Sequence, residues 1–167
     1  MSTTQLDSRS SVGSWMLAGA IMGIIAGIIF AMFEMVMAAI MGQGFWTPMM
    51  MIGAIGLGKG ALPPQPSVGL ATVAPVGLVI HMILSMMFGV TFGAVASAVG
   101  ALRRSRWALI GVATVFGFAL WIVNFYVIAP VAFPWFGMAN PVVQFFAHTF
   151  FFGTALGLLL SSRTGEE

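Results

Sequence analysis

The sequence predicts an all-α integral membrane protein: a four-transmembrane-helix bundle with a short interfacial or re-entrant segment between the first and second spans. The chain of 167 residues is 60% hydrophobic and 6% charged, whereas roughly a quarter of the residues in soluble globular proteins are charged. Its mean hydropathy is +1.06. Four apolar runs each reach the length of about 20 residues that a helix needs to cross the hydrocarbon core.

The first run, about 15–41, begins at Trp15 and contains one charged residue, Glu34. It is about twice as long as the 7–15-residue apolar core of a cleaved signal peptide. We therefore predict a helix that is retained in the protein. The residues before it, 1–14, form a predicted cytoplasmic tail.

The segment 42–74 follows on the predicted outer side of the membrane. Its apolar stretch, 48–57, has ten residues, which is too short to span and fits an interfacial or a re-entrant helix. The glycines around Lys59 and the adjacent Pro63 and Pro64 then predict a non-helical connection. The sequence leaves open whether the short helix lies on the membrane surface or dips into it.

The remaining predicted elements are three spans and a cytoplasmic tail, at about 75–100, 107–129, 141–160 and 161–167. The second span is expected to begin near Pro75 and the third to end before Pro130, because proline interrupts the backbone hydrogen bonding of a helix. The fourth begins at Asn140 and Pro141, a pair that fits the N-cap and first position of a helix.

The distribution of basic residues predicts the orientation. With four spans, both termini lie on the same side as the loop that joins the second and third spans. Lys59 is the basic residue on the opposite side, and the shared side carries five arginines, Arg9, Arg103, Arg104, Arg106 and Arg163. Because Lys and Arg are enriched in cytoplasmic loops, we predict a multi-pass protein of the inner membrane with both termini in the cytoplasm.

One strongly polar residue on each predicted span falls in the same layer of the membrane. These residues are Glu34, His81, Asn124 and His148. Counting about 1.5 Å per residue from the outer end of each span places them roughly 9–12 Å inside. Ser85 and Gln144 share helix faces with the two histidines. The sequence therefore predicts a polar core, in which Glu34 is expected to pair with a histidine because no other acid can reach that depth.

Glycines recur on the faces that carry the polar residues. The predicted helix-packing positions are Gly19, Gly23, Gly27, Gly77, Gly89 and Gly93. Small residues let helix backbones approach closely in lipid, so we expect helix contacts there. His148 differs, because Gly153 and Gly157 point away from its face in a regular helix.

Three classes of function fit such a chain. The first is a non-enzymatic membrane module, or a subunit of a larger membrane assembly, built around the polar core. The second is a membrane redox protein in which His81 and His148 ligate a haem iron, or join Glu34 around a divalent metal. The third is a small proton-coupled transporter or channel with Glu34 on its path.

Composition excludes several partners and chemistries. The chain has no cysteine, which removes disulfides and thiolate-bound metals. Its net charge of +2 provides no basic patch for nucleic acid. The predicted partner is the lipid bilayer, with other membrane subunits or further copies of the chain as candidates. Because almost no mass lies outside the spans, no catalytic residues are predicted and an enzyme is the less expected class.

Overall fold

The chain is helical throughout the part that a computed structural model describes, which covers the backbone of 3–164 and side chains from Val12 onward; no strand occurs there. The helices are α1 (Thr3–Ile40), α2 (Thr47–Leu57), α3 (Leu70–Ala98), α4 (Gly100–Arg104), α5 (Arg106–Ala132) and α6 (Pro141–Arg163). Two short 3₁₀ turns, Lys59–Ala61 and Pro134–Met138, lie in the connections.

Four of these helices are long and apolar enough to cross a membrane, which confirms that part of the predicted fold class. The stretches are Val12–Ile40, Leu70–Ala98, Arg106–Ala132 and Pro141–Arg163. The start of α6 is also as predicted, because the Asn140 side chain accepts hydrogen bonds from the backbone N–H groups of Val142 and Val143. Such a cap satisfies donors that have no partner within the helix.

Two predicted boundaries at prolines were wrong. Helix α3 begins at Leu70 and contains Pro75, and α5 continues through Pro130 to Ala132. In α5 the proline directly follows a π-helical segment, Val123–Ile128. Local π geometry gives the freed backbone groups other partners, so a membrane helix can continue past a proline.

Two helix pairs share one packing geometry, based on glycine. In the α1–α3 pair, a Cβ added to Gly89 would lie 2.8 Å from the Cα of Gly23. In the α5–α6 pair, a Cβ added to Gly153 would lie 2.9 Å from the Cα of Gly117. Real Cβ atoms essentially never come that close, so each helix pair requires glycine, which has no side chain, at its closest contact.

The glycines predicted for packing lie in these and neighbouring contacts. Gly19, Gly23, Gly27, Gly89 and Gly93 lie between α1 and α3. Gly77 instead faces α2, where an added Cβ would meet the backbone of Met49 and Gly53. The small residues of α3 therefore serve two partners, with α1 along its length and α2 near its beginning.

Aromatic rings join the two helix pairs. Phe33 of α1 stacks on Phe151 of α6 with a centroid distance of 3.8 Å. Phe92 of α3 packs on Phe116 of α5 at 5.4 Å. Toward the end of the bundle that carries α2, the helices enclose a cavity beside two smaller hydrophobic clusters.

The short helix α2 is packed into the protein. Most of its residues are buried, from Thr47 to Ala54. Its Gly53 contacts Val73 of α3, and the indole N–H of Trp135 donates to the Met51 carbonyl oxygen at 3.0 Å. Contacts with α3 and with the connection before α6 thus hold α2 in place.

At the opposite end, the last turn of α6 is fastened to α1. The Arg163 guanidinium donates to the Ser14 carbonyl and to the Ser14 hydroxyl, both at 2.7 Å. It also lies 5.6 Å from the centre of the Trp15 ring. The side chain of Arg9, which the orientation prediction uses, and the end of the tail at 165–167 lie outside the described residues.

Substituting a contact glycine should weaken the bundle. We expect Gly89→Ala and Gly153→Ala to lower the free energy of unfolding by about 1–3 kcal/mol, because the added methyl group forces the helices apart. Thermal unfolding in detergent measures the effect. Gly111→Ala is the matched control, since nothing lies within 4 Å of a Cβ at this α5 position. Equal melting temperatures for all three variants would contradict the packing described above.

Candidate functional site

A cavity of about 330 Å³ lies at the end of the bundle that carries α2. Its lining includes the exposed residues Met41 and Gln43 of the α1–α2 connection, so it opens at that end. All the residues of the predicted polar core line it: Glu34, His81, Ser85, Asn124, Gln144 and His148. The structure therefore brings together side chains from four helices that are far apart in the sequence.

Helical spacing explains how each helix presents its residues. On α1, Phe30, Glu34 and Ala38 are four residues apart and line the cavity from one face. On α3, His81 and Ser85 have the same spacing. Residues four apart lie above one another on a helix, so each helix contributes a vertical stripe to the cavity wall.

Glu34 pairs with an amide rather than with a histidine. The side-chain amide of Gln144 donates a short hydrogen bond to Oε1 of Glu34, and both residues are buried. Among the described residues, neither imidazole bonds to this carboxylate. The predicted Glu34–histidine pair is therefore wrong, because the rotation of α6 turns Gln144 toward α1 while His148 bonds within its own helix.

Each histidine uses one ring nitrogen on a backbone carbonyl. Nε2 of His81 lies 2.9 Å from the Gly27 oxygen, and Nδ1 of His148 lies 2.9 Å from the Gln144 oxygen. Since a carbonyl only accepts, those nitrogens must carry the hydrogen, and the other nitrogen of each neutral ring is an acceptor. No described residue bonds to these second nitrogens, to the Ser85 hydroxyl or to the Asn124 amide.

Two π-helical segments shape the α5 and α6 walls. Asn124 lies in Val123–Ile128 of α5, and His148 lies in Ala147–Thr154 of α6. Residues five apart differ by roughly 140° in a regular α-helix but are one turn apart in a π-helix. His148 and Gly153 can therefore both border Gly117 of α5. The π-helical segment explains why a regular helical spacing did not place His148 and Gly153 on one face.

A chain of rings runs along the cavity wall. Phe136 packs on Phe125 with a centroid distance of 5.9 Å, and Phe125 packs on His148 at 5.5 Å. Phe30 then contacts His148 at 4.8 Å and His81 at 5.1 Å. These phenylalanines were not among the residues predicted for the site, although Phe30 lies one helical turn before Glu34 and its spacing marks it.

The donor set fits neither a metal nor a haem. No group of three His, Asp or Glu side chains in the described part of the chain could hold a metal ion, so the geometry gives no support to the candidate set of Glu34, His81 and His148. A haem iron held by both imidazoles requires the porphyrin to lie between them. Here the ring of Phe30 packs against both imidazoles instead.

No protein-family model matches the chain, and neither a curated protein nor a solved structure matches it. What the cavity can do therefore follows from its own groups. Its lining contains one acid, Glu34, and no lysine or arginine. The remaining surface is apolar or aromatic apart from a few hydrogen-bonding side chains, a composition typical of small-molecule binding sites.

The Glu34–Gln144 bond can be tested by a double-mutant cycle. We expect Glu34→Leu and Gln144→Leu to be coupled by about 1–3 kcal/mol, because contacting residues share one hydrogen bond and removing either strands the other. Thermal unfolding in detergent gives the free energies.

The cycle of Glu34→Leu with His81→Leu is the control and should show a smaller coupling energy. A larger coupling with His81 than with Gln144 would restore the histidine pair that the sequence predicted.

Proposed function

We propose that the chain is a multi-pass protein of the inner membrane and a non-enzymatic module that binds a small, mostly apolar molecule in the cavity, which opens on the outer side. The convergence of the polar core on one otherwise apolar cavity is the observation that carries this proposal. Cavities of about 300–1,000 Å³ with a few convergent polar groups are the usual form of a ligand site.

Insertion in the membrane is supported by the outer surface of the helices. Large apolar side chains face outward along the spans, among them Leu17, Ile28, Val115 and Val127. A surface of this kind suits lipid, and it suits further membrane subunits or copies of the chain as well. The proposed orientation rests on Arg103, Arg104, Arg106 and Arg163 at one end of the bundle and on Lys59 at the other.

We assign α2 a re-entrant position, which selects one of the two alternatives that the sequence left open. A helix lying on the membrane surface would keep one face in water, but α2 is buried over most of its length. Its Met51, Ile52 and Ile55 line the cavity beside residues of the spans. Non-spanning backbone at membrane depth is tolerated where protein covers it.

Binding is supported by polar groups that have no protein partner. His81, His148 and Ser85 are each more than nine-tenths buried, and each has a nitrogen or oxygen without a hydrogen bond to a described residue. All three residues line the cavity. Their free atoms are therefore placed to form hydrogen bonds that orient a ligand in a mostly apolar site.

A transporter or channel with Glu34 on its path is supported less well. Phe88 and Phe152 line the cavity and pack on each other at 6.2 Å, and beyond them Phe92 packs on Phe116 at 5.4 Å. Leu109 and Leu156 are fully buried in the same part of the bundle. A path across the protein would require these contacts to separate, whereas binding from the outer side requires no such change.

Single cysteines test the orientation, because the chain contains none of its own. We expect Ser67→Cys, in the connection after α2, to react with a membrane-impermeant maleimide in cells whose inner membrane is intact. Ser162→Cys, at the end of α6, should react only after that membrane is permeabilised. Both side chains are exposed, so burial does not explain a difference. The reverse pattern would refute the orientation.

Access to the cavity can also be tested with single cysteines introduced into the cysteine-free chain. We expect Ala38→Cys, which lines the cavity, to react with the small neutral reagent methyl methanethiosulfonate and to be protected by propylbenzene as a neutral occupant. Ala26→Cys is the matched control, since Ala26 lies on the same helix, is 0% exposed and does not line the cavity. If Ala38→Cys reacts no faster than Ala26→Cys, the proposed binding function fails.

A further inference from the structure

We propose that the occupant of the cavity is an organic ammonium ion, with N–H donors on a compact apolar or aromatic group. This inference rests on the proposed binding function and names the class of its ligand. Three properties of the cavity carry it: the sign of its charge, the acceptor-only groups of its polar core and the rings along its wall.

The charge of the lining excludes anions. Glu34 is the one acid of the lining, which contains no lysine or arginine. A phosphate or carboxylate would find no cation to pair with, and an unpaired buried charge is strongly unfavourable. An ammonium ion instead meets the carboxylate of Glu34, which Gln144 contacts through one of its two oxygens. A carboxylate can accept about four hydrogen bonds, so acceptor capacity remains.

Three groups of the polar core can only accept hydrogen bonds from a ligand. Nδ1 of His81 and Nε2 of His148 must accept when the rings are neutral, because the opposite nitrogens donate to backbone carbonyls. The Glu34 carboxylate is the third. The lining also carries donors, namely the Ser85 hydroxyl and the amides of Gln43, Asn124, Asn140 and Gln144. A ligand with N–H donors matches the three groups that can only accept.

The rings supply the third element of recognition. Phe30, Phe125 and Phe136 line the cavity. Phe30 and Phe125 contact the imidazoles of the polar core, and Phe136 packs on Phe125. Aromatic faces attract a cation within about 6 Å of the ring centre, and more strongly where water is excluded. The same rings accept the apolar part of the ligand.

The experiment uses three probes of similar shape on the purified full chain in detergent. They are phenethylammonium, the neutral propylbenzene and the anion 3-phenylpropionate, compared at about pH 8, where an ordinary imidazole is neutral and a primary ammonium is charged. The melting temperature is followed as each probe is titrated, since a ligand stabilises the state that binds it. We expect phenethylammonium to bind at least about tenfold more tightly than either of the others.

Two variants assign this preference to the cavity. Glu34→Gln keeps the shape of the side chain and removes its charge, so the affinity for phenethylammonium should fall about tenfold, while the affinity for propylbenzene stays the same. Thr114→Val is the control, because Thr114 is a polar residue of α5 outside the cavity and bonds to Thr154 at 2.8 Å. Its affinities should match those of the unaltered chain. If the Glu34 variant keeps the full preference for the ammonium ion, the proposal is overturned.

The outcomes separate this inference from the function on which it rests. Protection of Ala38→Cys by propylbenzene, with no tighter binding of phenethylammonium, leaves the binding function in place and overturns the ligand class. Failure of Ala38→Cys to react overturns both. A quaternary analogue, phenethyltrimethylammonium, has the charge but no N–H group and should bind more weakly. Equal or tighter binding of this analogue would refute the assigned N–H contacts.

Discussion

The close backbone contacts at Gly23–Gly89 and Gly117–Gly153 determine the geometry of the rest of the bundle. Lipid tails are as apolar as leucine, so helices in a membrane associate through packing and hydrogen bonds rather than through the hydrophobic effect. Close to the cavity, the contact between α1 and α3 also positions residues of the site. A Cβ on Gly27 would lie 2.6 Å from the Cβ of Ser85, so glycine leaves room for Ser85. The same close approach lets His81 reach the Gly27 carbonyl.

The cavity forms where the helices depart from regular geometry. Both π-helical segments, Val123–Ile128 and Ala147–Thr154, contribute residues to its wall. Single π turns within α-helices are frequent at functional sites. In α6 it lets His148 line the cavity while Gly153 keeps its contact with α5. The irregularity thus serves the packing of the helix pair and the site at the same time.

Composition, glycine spacing and helical depth predicted much of this arrangement, whereas the hydrogen-bond partners across helices could not be read from the sequence. Long apolar runs predict the four candidate spans because few other structures accommodate them, and Asn140 marks the start of α6 through its cap. Counting residues placed Glu34 and His81 in one layer, and both line the cavity. The partner of Glu34 could not be predicted, because it depends on the rotation of α6 and on a π segment without a sequence signature. Proline rules failed at Pro130 for the same reason.

Polar residues at the helix contact and at the cavity use their hydrogen-bonding groups differently. Thr114 and Thr154 bond to each other at 2.8 Å and to backbone carbonyls, as expected of polar residues that hold helices together. His81 and His148 behave differently, because each bonds to one backbone carbonyl and leaves its second nitrogen without a hydrogen bond to any described residue, in the lining of the cavity. Polar atoms that a bundle buries beside a cavity but does not pair are available to whatever enters it.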